Sequence, residues 1–188
     1  AFMLLYKSLD RPHLEYVNAV RNPYKMKHVM ALENVQRRAT KQIPGFKNMS
    51  YEDRLQKLKL PTLAYRRKRG DMIDTYKIAS ETYDTTLPPL FQQHPDVTME
   101  TRGHSKKLYL RRANTNIRKN FFTHRVISIW NSLPENVISA RNVKIFESRL
   151  DKYWIYQDII YDFKSNLTTE KELELSIVAC GQRSEEDL

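Results

Sequence analysis

The sequence predicts an all-α fold, and three observations support that class. Apolar residues recur at three- and four-residue spacings along most of the chain, which is the period of one helix face. Glycine and proline are scarce, at 4 and 8 of 188 residues, and most of them separate the periodic segments. Hydrophobic residues make up 40% of the chain, which is enough to bury a core. At this length we expect one domain or two small ones.

The first third of the chain predicts three helical segments. Residues 2–9 form an apolar stub, and Pro12 opens a second short helix that runs to about Val20. Pro23 ends that helix, and a long helix follows over residues 25–43. Its inward positions, spaced three or four apart, are Val29, Leu32, Gln36, Ala39 and Ile43.

Two more helices complete the first half. Ser50 and Asp53 have the spacing of a capping box, in which side chains satisfy free backbone groups at the start of a helix. Pro61 marks the start of the next helix, which runs to about residue 80 although Gly70 weakens it by about 1 kcal/mol. The residues expected to face inward on that helix are Leu63, Ile73, Tyr76 and Ala79.

A linker is expected at residues 81–105, where three prolines and scattered polar residues replace the helical period. The predicted organisation is therefore a helical bundle at 1–80, this proline-containing linker, a small basic and aromatic helical unit at 106–157, and an acidic helix with a tail at 158–188. Acid-rich ends of this kind are usually solvated.

Within the second unit, Lys107 to Arg111 alternates like a short strand. Residues 120–133 predict a helix flanked by Trp130, Asn142 is placed to cap another helix, and Thr169 is placed to cap a last one. The two apolar stripes are Phe122, Val126, Ile129 and Leu133, and then Val143, Phe146, Leu150, Tyr153 and Trp154.

Charge is strongly uneven along the chain. The net charge is +10, yet residues 21–70 hold fourteen Lys/Arg against three acids, and residues 102–125 hold eight Lys/Arg and no acid. Residues 147–188 instead hold five Lys/Arg against ten acids. Two basic surfaces of this kind favour a polyanionic partner, most often nucleic acid, although a solvated basic face is the plainer alternative.

Thirteen residues in the two basic regions are candidate nucleic-acid contacts, because cations neutralise phosphates and an exposed aromatic ring stacks on a base. Arg37, Arg38 and Lys41 share a helix face, whereas the basic run at residues 66–69 cannot all lie on one face. The candidates are Arg37, Arg38, Lys41, Arg66, Arg67, Arg102, Lys106, Lys107, Tyr109, Arg111, Arg112, Arg118 and Lys119.

Most aromatic residues of the second unit are expected in the core rather than on the surface. That expectation covers Phe121, Phe122, Trp130 and Trp154, which stand at helical spacing. For Tyr109 the core and a stacking platform remain evenly balanced alternatives.

Catalysis has little support in the sequence. Asp71 and Asp74 lie three apart, but two-metal chemistry needs a tighter carboxylate cluster, so we expect them to offset Arg67 and Lys77. The five histidines lack metal spacing, and four scattered glycines cannot form a nucleotide loop.

Cys180 is the single cysteine, which excludes an internal disulfide. No apolar run approaches a membrane span, and no secretion signal opens the chain.

Short segments stand in a fixed order along residues 5–154. They are LYKSL at 5–9, RPHLEY at 11–16, PY at 23–24, LENVQRRATK at 32–41, YEDRL at 51–55, RR at 66–67, GD at 70–71, TRGHS at 101–105, FF at 121–122, WNSLP at 130–134, and Phe146, RLD at 149–151 and Trp154. Their order and spacing resemble the region just after the polymerase core of jockey-like non-LTR retrotransposon reverse transcriptases.

The resemblance implies that residues 5–80 correspond to the thumb, a helical unit that grips the template–primer duplex, and that 101–154 form the C-terminal segment beyond it. The family's Tyr-x-Asp-Asp catalytic motif lies upstream, and this sequence has no adjacent Asp pair. We therefore expect the fragment to hold no cofactor and to be inactive alone, while its parent polymerase would use Mg²⁺. Arg21 stands where the family usually has Trp.

The expected partner is nucleic acid, through an RNA–DNA or duplex backbone, in a nuclear or cytoplasmic setting, with no membrane and with any protein partner unknown. The start AFMLLYKSL lacks an initiator Met, so the chain is expected to be the interior of a longer protein. The alternative is a non-catalytic helical adaptor for proteins, domesticated from such an element.

Overall fold

A computed structural model describes residues 2–80, 90–92 and 104–168, and within these ranges the chain is helical and forms no strand. The all-α class is therefore confirmed. The α-helices are α1 (Phe2–Leu5), α2 (Arg11–Glu15), α3 (Met26–Lys41), α4 (Tyr51–Leu58), α5 (Leu63–Ala79), α6 (Asn116–Lys119), α7 (Phe122–Asn131), α8 (Glu135–Ile138) and α9 (Val143–Tyr153). A π-helical turn at Tyr6–Asp10 joins α1 to α2, and a 3-10 turn at Asp158–Ile160 follows α9.

Four of the described helices, α4, α5, α6 and α9, begin at side-chain caps. The Ser50 hydroxyl accepts the Asp53 N–H at 3.1 Å, and the Asn142 side chain accepts the Ile145 N–H at 2.9 Å, as the sequence predicts. At α5 the capping residue is Thr62, one position after the predicted Pro61. Each cap satisfies an amide at the helix start that has no partner within the helix.

The larger core lies between α5, α7 and α9. Tyr76 on α5 stacks on Phe146 of α9 with ring centroids 4.4 Å apart, and its hydroxyl donates to the Ala140 carbonyl at 2.6 Å. Trp130 on α7 is 0% exposed, so its predicted burial and that of Phe122 are confirmed. Trp154 is buried as well.

Described residues on both sides of the predicted linker share this core. Helix α5 comes from the first predicted unit, and α7 and α9 come from the second. The start of α5 is also tied to the end of the described chain, because Thr62 donates its N–H to Ile160 at 2.8 Å and its hydroxyl to Ile159 at 2.6 Å. The division into separate units stays a prediction.

A second, smaller core contains a buried polar network. Tyr6 donates to Gln36 at 2.9 Å, Gln36 donates to the Tyr51 hydroxyl at 3.1 Å, and Tyr51 donates to Glu33 at 2.7 Å. Glu33 also accepts the Ala64 N–H at 2.9 Å. The inner face of α3 is therefore partly polar, and burial of an unpaired carboxylate is avoided by these donors.

The expected strand at Lys107 to Arg111 is wrong. Within the described residues no run of strand forms there: the Asn131 amide accepts the Leu108 N–H and donates to the Leu108 carbonyl, both at 2.9 Å, and the one neighbouring backbone bond runs from the Tyr109 N–H to the Gln92 carbonyl. The expected last helix at Thr169 and the tail lie outside the described residues.

The short helix from Pro12 ends at Glu15, before the predicted Val20. Tyr16 adopts an extended conformation, and Val17 has a φ of 53°. Tertiary contacts explain the early end, because the next turn of chain is held against α5 and α7 by side chains rather than by helical hydrogen bonds.

Three side-chain positions on the α7 segment also differ from the expectation. Phe121, expected in the core, is 56% exposed, because it precedes the first turn with an extended backbone. Ile127 is buried, whereas Ile129 is only half-buried. The helix therefore faces the core through a stripe turned slightly from the predicted one.

Candidate nucleic-acid interface

The basic run on α5 is largely occupied by contacts within the fold. Arg66 donates to both carboxylate oxygens of Glu15, the second at 2.7 Å. Arg69 forms a two-pronged contact with Asp151 at 2.6 and 2.9 Å. Lys68 is half-buried, and burial lowers the pKa of its ammonium group.

Arg67 lies inside the protein rather than on its surface. Its side chain is 4% exposed, and Nη2 donates to the Leu14 carbonyl at 2.9 Å. Burial lowers the pKa of this guanidinium, while the nearby Glu33, Glu15 and Asp71 carboxylates act in the opposite direction. Both Arg66 and Arg67 therefore serve the packing of the chain before α3 against α5.

The two aspartates of α5 also have internal partners. Asp74 pairs with Lys77 at 3.7 Å, as expected. The ion-pair partner of Asp71 is Arg125, which donates Nε and Nη2 to its two oxygens, each at 2.9 Å. Desolvation raises the pKa of Asp71 despite this contact. Arg125 also donates to the Asn18 and Ala19 carbonyls, so this site is a structural clamp.

The basic face of α3 is divided. Arg38 and Lys41 are exposed, but Arg37 lies over the Tyr51 ring at 4.9 Å and the Phe163 ring at 5.8 Å. A guanidinium stacked on aromatic faces contributes to packing as well as charge. Only part of this predicted group therefore faces solvent.

The second basic cluster is arranged differently. Five of its cations are exposed, and Lys107 is half-buried. The exposed ones are Lys106, Arg111, Arg112, Arg118 and Lys119. Among the described residues none of these five forms an ion pair, in contrast to the run on α5. Arg102 lies outside the described residues.

A buried histidine supports the start of this cluster. The Nδ1 atom of His104 accepts the Lys106 N–H at 3.1 Å, and its Nε2 lies 2.9 Å from the Trp130 carbonyl. Because Nδ1 accepts, Nε2 carries the hydrogen, and the ring must be neutral to make both bonds. Burial lowers the pKa of this imidazole. Sequence reasoning found no role for His104.

Trp130 and Asn131 fix the rest of the segment. The Trp130 indole N–H donates to the Lys106 carbonyl at 2.8 Å, and the Asn131 amide pairs with Leu108 as described above. Residues 106–108 are thus held on α7 by side chains of the WNSLP segment, and the cations that follow are presented outward.

A cavity of about 240 Å³ opens beside these cations. Its lining residues come from three parts of the described chain: Leu90, Phe91, Gln92, Tyr109, Arg111, Arg118, Thr123, His124 and Ile127. Tyr109 is 42% exposed, so it is only partly in the core. The sequence singled out Tyr109, Arg111 and Arg118 but missed Phe91 and His124, because nothing local indicates that their segments meet.

The described residues contain no group of three or more His, Cys, Asp or Glu side chains that could hold a metal ion. In the same part of the chain no helix is long and apolar enough to cross a bilayer.

Comparisons with protein-family models, curated proteins and solved structures found no match for this chain.

Proposed function

We propose that this chain is a nucleic-acid-binding, non-catalytic portion of a polymerase related to the jockey-like non-LTR retrotransposon reverse transcriptases. Its role is to hold the backbone of a template–primer duplex while the polymerase chemistry takes place elsewhere. The observation that carries the proposal is the group of exposed cations at residues 106–119, which have no acidic partner in the described chain.

The geometry supports binding through phosphates rather than bases. Lys106, Arg111, Arg112, Arg118 and Lys119 project from one segment anchored to α7. Phosphate contacts position a protein on nucleic acid but carry no sequence information. Binding should therefore tolerate changes of duplex sequence.

The residues available in the described chain do not suggest a catalytic role for it. The two acids of α5 both have ion-pair partners: Asp71 pairs with Arg125, and Asp74 pairs with Lys77. Two-metal polymerisation needs clustered carboxylates that are available to Mg²⁺. We expect no primer extension by the purified chain with Mg²⁺ or Mn²⁺. Extension above a no-protein control that is lost on Asp71→Asn would contradict the proposal.

The test of binding is a salt titration with a fluorescein-labelled duplex, read by fluorescence anisotropy. If the five exposed cations engage phosphates, the log–log slope of affinity against salt should be about −4.5. The double variant Arg112→Gln/Lys119→Gln should flatten that slope by about 2 units. The matched control is Lys144→Gln/Lys152→Gln, which removes the same charge from exposed positions of α9 beside Glu147 and Asp151.

The α3 face is tested separately with Arg38→Gln/Lys41→Gln, which spares the stacked Arg37. A flatter slope for this variant would extend the interface to the first basic region. Identical slopes for the wild type and all three double variants would remove the basis of the proposal.

One observation favours the alternative of a helical protein-interaction adaptor. Large apolar side chains are exposed along the first part of the chain: Leu4, Leu5, Leu9, Tyr16, Val20, Tyr24, Met26 and Met30. Contiguous exposed apolar surface often marks an interaction site. Weak duplex binding that does not change with salt, together with tight binding to a protein, would favour this function over nucleic-acid contact.

A further inference from the structure

We propose that the cavity between residues 90–92, Tyr109 and the start of α7 is a binding site for one unpaired nucleotide of a single strand. This inference rests on the proposed function and deepens it. The exposed cations as a group bind duplex phosphates, and two of them, Arg111 and Arg118, also line the cavity, which takes a base that has left the duplex or never formed one.

The charge of the cavity favours a phosphate. Arg111 and Arg118 line it, His124 adds a third nitrogen-bearing side chain, and none of the nine lining residues within the described part of the chain is acidic. Arg111 donates from Nε to Gln92 at 3.2 Å, which orients its guanidinium. A guanidinium pair of this kind matches the oxygens of a phosphate group.

The aromatic residues of the cavity favour a base. Tyr109 and Phe91 both line it, and Phe91 is supported by the Phe122 ring with centroids 6.0 Å apart. The Tyr109 N–H donates to the Gln92 carbonyl at 2.8 Å, which fixes the two segments against each other. Base stacking on protein aromatics tolerates any base, because every base has a π-face.

The size of the cavity limits the group that enters it to about one base. Its volume, about 240 Å³, lies below the range of about 300–1,000 Å³ typical of sites for drug-sized ligands. Paired bases are stacked inside the helix and present only their edges, so a base must be unpaired to enter a pocket. A single nucleotide fits this combination of volume, cationic lining and aromatic side chains.

The experiment compares single-stranded and duplex probes on the whole chain. Affinities are measured by fluorescence anisotropy for labelled oligothymidylate, oligouridylate and a blunt duplex of the same length. Tyr109→Ala should weaken binding of the single strands roughly ten-fold while changing duplex affinity less than about two-fold, because the tyrosine carries no charge. The matched control is Tyr156→Ala, an exposed tyrosine that does not line the cavity.

Arginine variants give a second, independent arm. Arg118→Gln should weaken single-strand binding more than Arg112→Gln does, although both remove one charge from the same exposed segment, because only Arg118 lines the cavity. Losses that are equal for the two variants on both kinds of probe would contradict a site at the cavity. Tyr109→Leu, which keeps apolar volume without the ring, covers the case in which Tyr109→Ala fails to fold.

The outcomes separate the two proposals. If duplex binding is salt-dependent but single-strand binding is unaffected by Tyr109→Ala and Tyr109→Leu, the nucleotide site is overturned and the proposed function stands. If neither probe binds at low salt, both are overturned. A preference for oligouridylate over oligothymidylate, lost in the Tyr109 variants, would further assign the site to RNA.

Discussion

The two basic regions look alike in sequence and differ in the folded protein. The run at residues 66–69 lies on α5, where Arg66 pairs with Glu15, Arg69 with Asp151, and Arg67 is buried. The segment at 106–119 carries exposed cations without an ion-pair partner among the described residues. The run at 66–69 holds helices together, whereas the exposed cations at 106–119 are engaged by no acid of the described chain.

The difference shows that the density of charge along the sequence does not reveal which cations are exposed to solvent and which form ion pairs inside the fold. Helix α5 contacts α2, α3, α7 and α9, so its arginines meet carbonyls and carboxylates of neighbouring elements. The later segment is held through its backbone by the Trp130 and Asn131 side chains, and five of its cations face solvent.

The largest effect should come from Trp130, whose indole N–H holds the Lys106 carbonyl at the start of the second basic cluster. Trp130→Ala should lower the free energy of unfolding by about 3–5 kcal/mol, because it empties a fully buried site and removes the donor to Lys106. Urea denaturation followed by circular dichroism measures this. Tyr156→Ala, at an exposed aromatic, is the control and should change stability by less than about 0.5 kcal/mol. A cost below about 1 kcal/mol for Trp130→Ala would show that the core is assigned wrongly.

A matched pair of arginines tests the comparison directly. Arg67→Gln should cost about 1.5–3 kcal/mol, since it removes a buried charge-assisted hydrogen bond to Leu14. Arg118→Gln should change stability by less than about 0.5 kcal/mol, because its side chain is exposed. The same denaturation experiment reads both. Equal effects of the two substitutions would contradict the contrast between the regions.

A smaller effect separates two neighbours on α3. Arg37→Ala should destabilise by about 1 kcal/mol through loss of its stacking on Tyr51. Arg38→Ala, one residue along and exposed, should be close to neutral. Thermal unfolding midpoints compare the two variants, and a larger loss for Arg38→Ala would mean that the helix is rotated from its assigned orientation.

The smallest expected effect is on the pH dependence of stability. The contributions of His104 and Glu33 should change in opposite directions as pH falls. Burial lowers the pKa of His104 below 6.5, so the unfolded chain takes up a proton below pH 6.5 that the folded protein does not. The free energy of unfolding therefore decreases as pH falls below 6.5. Burial raises the pKa of Glu33 above 4.5, so the folded protein keeps a proton there that the unfolded chain has lost. Its contribution to stability therefore increases as pH falls toward 4.5.

The measurement is the free energy of unfolding of the wild type, His104→Asn and Glu33→Gln between about pH 7.5 and 5. The difference between wild type and His104→Asn should shrink as pH falls below the ordinary histidine pKa of about 6.5. The difference between wild type and Glu33→Gln should move the other way. Parallel curves for all three proteins would contradict both pKa shifts, because a group with the same pKa in the folded and unfolded chain adds no pH dependence to stability.

Much of the helical framework was predictable because its determinants are local. The caps at Ser50 and Asn142 lie three residues from the amides they satisfy, and the burial of Phe122 and Trp130 follows from helical spacing. The expected strand at Lys107 was wrong because the competing partner, Asn131, lies 23 residues from Leu108 and no local pattern indicates it.

For the candidate site, the sequence located the second basic cluster and named Tyr109, Arg111 and Arg118. It did not indicate the cavity that Phe91 and His124 complete, nor the neutral imidazole of His104 that holds the segment. It also did not distinguish the paired cations of α5 from the exposed ones. Those features depend on residues that meet only after the chain has folded.

The sequence by itself determined the all-α class, the main helices and the placement of positive charge, because helical period, caps and composition act within a few residues. Only the tertiary structure decided which charges remain available. The Asp71–Arg125 pair joins residues 54 apart, and the Arg66–Glu15 pair joins residues 51 apart. At such separations the identity of a partner depends on how helices pack, and packing is set by the shape of the whole core rather than by any local segment.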